Sequence, residues 1–463
     1  MNRMNPFYNP VFLSKILKSY FFDINRLKNL DEQQLNIYRD KQIRKIIKYS
    51  FNVPVYRDSY KKAGIQPNQI NGINDLHLLP LISKFDIKSY YPDGIIPAKA
   101  NKDNLIKIST SGTTGKKLSI FSNPFDVVLW LFIYIRVIRD YGINWRKNKL
   151  TIIGDFAPHT IGTGYVKRGF QDNLKEGIFF KNIQWLDTND EPKNVIKKVD
   201  NFRPDFIGGY PGMLGHIALL KEKGHGKNIC PEYIATIGSV LDSSLKKFIH
   251  ETFCAHVFEV YGATETGTMA FQCPKGNYHI MSDLVHMEVA NNGSNVLNGQ
   301  PGKLIVTKLY GHGTPIIRYD AINDIVALKQ GKCNCGIAGS LLEKVYGRND
   351  LSLLFNDGKV MLASSFAEIF SRVLYDLKTN KIKNTQIIQH SFTDLEIQLV
   401  IDDSDENDKI PVSDIFSIIK EGFAKKVGTD VNITIKQVEK IVRTGPRIVS
   451  AVDRNSFVVK QYI

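Results

Sequence analysis

Three short apolar runs in the middle of the chain set the strongest limit on its fold. They cover residues 206–211, 233–239 and 257–262. Each run contains glycine near its end, and the first two are followed by helical stretches. Strands that alternate with helices predict a parallel α/β sheet. Ligands bind such sheets beyond the carboxyl ends of the strands, so Gly208, Gly238 and Gly262 mark the expected ligand-binding edge.

The length of the chain predicts more than one domain. Its 463 residues exceed the roughly 250–300 residues at which single hydrophobic cores stop growing. From residue 303 onward β-type runs replace the alternation, and residues 347–350 resemble a boundary. We therefore expect an N-terminal α/β domain of residues 1–349, with parallel sheets and a β subdomain, and a small α+β C-terminal domain of residues 350–463.

Residues 108–118 are rich in hydrogen-bond donors, with three threonines, two serines, two glycines and two lysines. Gly112 and Gly115 allow the backbone to approach a ligand closely, and free amides and hydroxyls suit anionic oxygens. A Walker A loop is excluded, because its glycines are spaced differently. The residues alone allow two interpretations, a phosphate-binding loop or a flexible surface turn.

The formal charge of +15 fits an anionic ligand, a membrane surface or nucleic acid. The lysines are scattered, without a dense basic tract or a nucleic-acid-binding motif, so we expect a solvated surface and no nucleic-acid partner. The longest apolar run, residues 127–135, has nine residues, whereas a membrane-spanning helix needs about 20. With no secretory signal at the N-terminus, we expect a cytoplasmic protein without a transmembrane segment.

Four segments occur in a characteristic order, namely residues 108–118, 261–265 (YGATE), 318–324 (RYDAIND) and 347–350 (GRND). In these segments the chain resembles the adenylate-forming superfamily, and more closely its phenylacetate–CoA ligase and CapK branch. Residues 52–57 and 79–84 also match that branch, and the resemblance covers nearly the whole chain. It implies that ATP and Mg²⁺ are used to activate a small carboxylic acid as an acyl-adenylate.

The resemblance implies roles for residues at matching positions. Those that would hold the β- and γ-phosphates of ATP are Ser111, Thr113, Thr114 and Lys116. Those around the adenine would be Gly238, Ser239 and Tyr261. Thr264 would contact the α-phosphate, Glu265 would hold Mg²⁺, and Asp324 and Arg348 would bind the ribose. Taken singly, these charged residues would be interpreted as ordinary surface groups.

The resemblance also concerns the acid and the C-terminal domain. Tyr210 and the two residues after it would border the carboxylate pocket, and the C-terminal domain would turn about Asp350 as a mobile lid. The family's catalytic lysine is missing, and Arg447 stands in the best-matching place. Arginine keeps the charge but is planar and bulkier, so we expect slower adenylation than a lysine would give.

Four potential metal ligands lie in two groups, Cys273 with His279 and Cys333 with Cys335. Three thiolates and one imidazole are a closed tetrahedral set for zinc, which predicts a structural zinc site. The alternative is that these cysteines are buried or incidental.

The sequence thus predicts an adenylate-forming ligase. Its acceptor is either CoA or an amine such as an amino sugar, and the CapK resemblance points to surface-polysaccharide modification. A second hypothesis is a nucleotide-binding scaffold of the same fold without turnover, since the usual lysine is missing.

Overall fold

The structure, a computed structural model, describes residues 9–110, 118–156, 181–291, 294–441, 448–453 and 459–462. The helices are α1 (Pro10–Lys18), α2 (Arg26–Asn29), α3 (Glu32–Ser50), α4 (Pro54–Lys62), α5 (Lys84–Ser89), α6 (Pro124–Asp140), α7 (Pro192–Phe202), α8 (Pro211–Glu222), α9 (Ser243–Phe253), α10 (Ser364–Tyr375) and α11 (Val412–Val427). Among the described residues, no helix combines the length and apolarity needed to cross a bilayer.

The strands of the first half are β1 (Ile106–Ser109), β2 (Ser119–Ser122), β3 (Leu150–Gly154), β4 (Ile183–Asp187), β5 (Phe206–Gly209), β6 (Tyr233–Thr236), β7 (His256–Ala263), β8 (Gly267–Gln272), β9 (Tyr278–Ile280) and β10 (Val285–Asn291). Those that follow are β11 (Ser294–Asn295), β12 (Gly302–Lys308), β13 (Asp324–Lys329), β14 (Leu341–Arg348), β15 (Ser352–Leu354), β16 (Lys359–Leu362), β17 (Ile382–Ser391), β18 (Asp394–Ile401), β19 (Asn432–Gln437), β20 (Ile448–Ser450) and β21 (Gln461–Tyr462).

One twelve-stranded sheet dominates the molecule, in the order β11-β10-β12-β13-β14-β9-β8-β7-β6-β5-β3-β4. The strands from β4 to β7 are parallel, which confirms the α/β prediction. The predicted β subdomain is continuous with them, because β7 pairs with β8 in the antiparallel sense. The parallel part and the antiparallel part are therefore two halves of one mixed sheet.

The parallel half is buried on both faces, as continuous apolar strands require. Alternate residues of a strand point to opposite faces. Ile207 and Ile234 pack into one core with α7, α8 and α9, whereas Phe206 and Ala235 pack into another core together with α6. Loops follow the carboxyl ends of these strands. The predicted site residues Tyr210, Gly238, Ser239 and Thr264 lie at or just beyond these ends.

The hairpin β1–β2 carries the ends of the loop of residues 108–118. Ser109 pairs with Ser119 across the hairpin, and the Thr110 amide donates to the Leu118 carbonyl at 2.8 Å. The hairpin is held to the body because the Thr314 amide donates to the Phe121 carbonyl at 2.7 Å. The structure thus fixes both ends of the loop against the main sheet.

The C-terminal part has its own small sheet, β19-β18-β17-β20. Helices α10 and α11 cover it through an apolar core, in which the Phe366 and Phe423 rings stack with centroids 4.9 Å apart. This is the predicted α+β fold. Strands β15, β16 and β21 form a separate three-stranded sheet. The boundary between residues 349 and 350 stays a prediction.

Candidate active site

The turn between β7 and β8 carries Thr264 and Glu265. Two glycines allow this turn to form. A Cβ on Gly262 would lie 2.6 Å from the Gly267 carbonyl oxygen, and Gly267 itself has φ +79° and packs against the Trp130 indole, which a Cβ would overlap. The Glu265 side chain is thereby held inside the protein, 8% exposed, where its Oε1 accepts a hydrogen bond from Tyr319 Oη at 3.5 Å.

Tyr261, Asp324 and Arg348 meet beside this turn. Tyr261 Oη donates to Asp324 Oδ2 at 2.6 Å, and Arg348 Nε lies 3.5 Å from Asp324 Oδ1. Asp324 and Arg348 are direct partners in the β13–β14 register. The Asn349 amide also donates to the Asn323 carbonyl at 2.7 Å, which closes the end of this hairpin. Three predicted residues from distant parts of the sequence are therefore neighbours.

The acids of this cluster carry a desolvation penalty. Burial raises the pKa of Glu265, an effect that Arg348 and Lys84 partly offset. Burial likewise raises the pKa of Asp324, against the opposing influence of Arg348 and the Tyr261 hydroxyl. Buried carboxylates of this kind are stabilised in their charged form by an added cation. The donor type of Glu265, a carboxylate oxygen, is the type that Mg²⁺ prefers.

Gly238 and Tyr210 form a second contact at the carboxyl ends of the strands. Gly238 has φ +92°, and a Cβ there would overlap the Tyr210 ring, so the ring lies directly against the backbone. Tyr210 is the residue just before α8, and the Ile237 amide donates to the Gly209 carbonyl at 3.1 Å. Ser239 is exposed. The pKa of the Tyr210 hydroxyl is raised, mainly by burial and to a smaller extent by the negative charges of Asp155 and Asp187.

Five predicted site residues lie outside the described residues. They are Ser111, Thr113, Thr114, Lys116 and Arg447.

The sequence analysis did not identify three residues that support the site, namely Trp130, Tyr310 and Ile82. Trp130 Nε1 donates to Tyr310 Oη at 2.9 Å, and Tyr310 Oη donates to the Thr266 carbonyl at 3.4 Å, beside Glu265. The Ile82 amide donates to the Arg318 carbonyl at 3.0 Å, which places the segment before Lys84 next to Tyr319. Only this last segment carried a sequence clue, because residues 79–84 match the related branch.

Cys273, His279, Cys333 and Cys335 converge in the antiparallel half, with all four potential ligand atoms within 4.8 Å of one another. The Sγ atoms of Cys273 and Cys333 are 3.8 Å apart, and Cys335 Sγ lies 3.1 Å from His279 Nε2. Zinc bonds of about 2.1–2.3 Å in a tetrahedron give ligand spacings close to these. The donor set and its spacing therefore fit zinc.

The comparisons with known proteins agree with this architecture. Residues 353–446 match the family model of the CapK C-terminal domain. Protein CapK of Staphylococcus aureus is 22% identical over 439 residues, covering 92% of this chain and 90% of that protein. A phenylacetate-coenzyme A ligase of Thermus thermophilus is 22% identical over 341 residues, covering 71% of this chain and 73% of that protein.

A solved structure has the same fold. The 2-hydroxyisobutyryl-CoA ligase in its postadenylation state, in complex with R3-HIB-AMP, has a TM-score of 0.72 at 17% identity and covers 93% of this chain and 92% of that chain. The fold is therefore that of the adenylate-forming ligases. The family-model match of residues 353–446 and the whole-length similarity to Protein CapK are likenesses to the CapK-like branch of these ligases.

Proposed function

We propose that the protein activates a carboxylic acid with ATP. A carboxylate oxygen attacks the α-phosphorus, the bond to the bridging oxygen of pyrophosphate breaks, and acyl-adenylate and pyrophosphate result. The observation that carries this proposal is the meeting of Tyr261, Asp324 and Arg348 beside the buried Glu265. Phosphoryl and nucleotidyl transfer depend mainly on positioning and charge stabilisation, which such a cluster supplies.

Each residue has a role in the proposal. Asp324 and Arg348 hold the ribose hydroxyls, since a carboxylate accepts and a guanidinium donates. Tyr261 flanks the adenine, with Gly238 and Ser239 on its other side. Thr264 contacts the α-phosphate. The residues proposed for the β- and γ-phosphates are Ser111, Thr113, Thr114 and Lys116.

Glu265 is the proposed Mg²⁺ ligand. Its carboxylate is buried with a raised pKa, mainly through desolvation, so a cation would relieve the cost of ionising it. Mg²⁺, when bound, neutralises charge on phosphate oxygens. Arg447 is proposed to bring the remaining positive charge to the reacting carboxylate and α-phosphate.

The acid pocket is proposed to lie beside Tyr210, at the open end of β5. We favour CoA as the acceptor, because curated relatives are named coenzyme A ligases. An amine acceptor, including an amino sugar in surface-polysaccharide modification, is the second candidate, which the similarity to CapK supports.

The lid movement of residues 350–463 is also a proposal. The described contacts between residues 350–463 and the start of α9 include polar pairs. Ser371 Oγ donates to Asp242 Oδ2 at 2.7 Å, and Ser244 Oγ donates to Glu368 Oε1 at 3.0 Å. Leu374 and Tyr375 also pack against the core under α8 and α9. Domains joined by such mixed interfaces commonly move relative to one another, so we propose rotation about Asp350 between activation and transfer.

Pyrophosphate release with Mg²⁺-ATP tests the proposal. The acids should include aryl acids, fatty acids, amino acids and uronic acids, each with and without CoA. We expect release that depends on one class of acid and on Glu265, and a faster rate for Arg447→Lys because lysine is the family's usual residue. ATP binding without pyrophosphate release for any acid would favour the scaffold hypothesis instead.

A further inference from the structure

The first described helix, α1, and the π-helical turn Ser19–Asp23 after it carry a cluster of exposed apolar side chains. Among the described residues, twelve large apolar side chains are exposed, and five of them lie between residues 11 and 22. These five are Val11 (75% exposed), Leu13 (41%), Leu17 (55%), Phe21 (64%) and Phe22 (67%). Scattered exposed apolar residues are ordinary, whereas a contiguous cluster marks an interaction surface.

The opposite side of this segment is anchored to the protein. Phe12, Ile16 and Tyr20 recur every four residues and pack against a small core around Phe132. The Tyr20 and Phe132 rings meet edge to face with centroids 5.5 Å apart. Because these residues fix the inner face, the five exposed side chains are held on the outer face. Leu13, Leu17 and Phe21, also spaced by four, form one line along it.

Basic groups accompany the apolar line. Lys15 and Lys18 are exposed and recur with Val11 and Phe22 at helical spacing. Arg139 Nη2 donates to Tyr20 Oη at 2.7 Å, and the Arg146 guanidinium lies 5.7 Å from the centre of the same ring. The acid of this segment, Asp23, is paired with Arg26. The surface is therefore both apolar and cationic.

We propose that this α1 surface, formed by Val11, Leu13, Leu17, Phe21 and Phe22 with Lys15 and Lys18, binds the interface of a bilayer that contains anionic lipids. Apolar side chains enter the boundary between head groups and acyl chains while the lysines meet lipid phosphates. Charge disfavours a second copy as the occupant, because each chain carries a net charge of +15. The inference does not depend on the proposed catalytic function.

Co-sedimentation of the full chain with vesicles tests the proposal. One set contains equal parts of phosphatidylglycerol and phosphatidylcholine, and the other only phosphatidylcholine. We expect the chain to bind the anionic vesicles at least about tenfold more tightly than the phosphatidylcholine vesicles. Added salt should weaken this binding, because it screens the charges of the lysines. The variant Leu13→Ser/Leu17→Ser/Phe21→Ser/Phe22→Ser should lose at least about tenfold in affinity, because each apolar side chain contributes transfer energy.

Two further variants separate binding from folding. Lys15→Gln/Lys18→Gln keeps the five exposed apolar side chains, although it removes the Lys15 ammonium that lies 3.9 Å from the centre of the Phe125 ring, and should weaken binding to anionic vesicles alone. Ile37→Ser/Leu297→Ser removes two apolar groups that are also exposed but lie elsewhere, and should bind like the wild type. Absence of wild-type binding to anionic vesicles would overturn the proposal. A dimer of the wild type in light scattering, together with a monomer of the four-serine variant, would also overturn the proposal. The surface would then join two copies of the chain.

Discussion

Tyr261 and Asp324 join two strands that are not neighbours in the sheet. The hydroxyl of Tyr261, on β7, donates to Asp324 Oδ2 at the start of β13 at 2.6 Å, although β8, β9 and β14 lie between these strands in the sheet order. Burial, together with Asp324, raises the pKa of Tyr261 well above its usual value. The tyrosine therefore stays protonated and acts as the donor. The bond links the parallel half of the sheet to the antiparallel half at the proposed nucleotide site.

Replacing Tyr261 with phenylalanine should weaken nucleotide binding. Asp324 would lose a hydrogen bond within a buried site, at a cost of about 1–3 kcal/mol, and would no longer be held toward the ribose. We expect ATP affinity to fall by about tenfold, which corresponds to about 1.4 kcal/mol, in isothermal titration calorimetry. Tyr141→Phe is the matched control, because that hydroxyl donates to the Gln272 carbonyl at 2.8 Å away from the nucleotide. Unchanged affinity in Tyr261→Phe would contradict the role.

Replacing Glu265 with glutamine should change stability in a pH-dependent way. Burial raises the folded-state pKa of Glu265, so its contribution to stability is full below the unfolded-state pKa and is lost as pH rises through the folded-state pKa. A glutamine side chain does not ionise, so the variant keeps its stability as the pH rises. We expect Glu265→Gln to melt at a higher temperature than the wild type at pH 7, and the difference to shrink toward pH 4.

The same variant should lose Mg²⁺-dependent pyrophosphate release by about 100-fold, because a metal ligand is removed. Glu288→Gln provides the contrast. Glu288 Oε1 lies 2.8 Å from Arg318 Nη2 in a largely buried ion pair, so its loss should lower the melting temperature at pH 7. A Glu265→Gln variant that is also less stable at pH 7 would show that the carboxylate is stabilised by the protein alone.

The parts of the fold that follow from local sequence were predictable, and those that depend on distant pairing were not. Apolar runs ending in glycine identified β5, β6 and β7. The continuity of the sheet depends on pairs such as Leu341 with His279, which no local pattern specifies. The candidate site shows the same division. The family resemblance implied roles for Glu265 and Asp324, which stay predictions, whereas the contacts of Tyr319 and Trp130 at the site arise only when the chain folds.

Removing one ligand of the cysteine cluster should release zinc and destabilise the fold. A closed set of three thiolates and one imidazole holds a structural ion, whose binding energy contributes to folding. We expect about one equivalent of zinc in protein purified without chelator, and loss of that zinc with a lower melting temperature in Cys335→Ser. The exposed Cys230 and Cys254 give matched serine controls that should keep the metal. Wild-type protein with less than about a tenth of an equivalent would refute the site.

Replacing Gly267 with alanine should disturb the turn that carries Glu265. Its φ of +79° strains any side chain, and a Cβ would overlap the Trp130 indole. Gly142 has the same φ but open space around it, so Gly142→Ala measures the backbone strain alone, about 1–2 kcal/mol. We expect Gly267→Ala to unfold more easily than Gly142→Ala and to lose most pyrophosphate release, while Gly142→Ala keeps its activity. The double variant Gly267→Ala/Trp130→Leu should recover part of the stability that Gly267→Ala loses. The smaller leucine removes the clash with the new Cβ, while the backbone strain at residue 267 stays. Equal melting temperatures for the two alanine variants would show that Trp130 does not hold the turn.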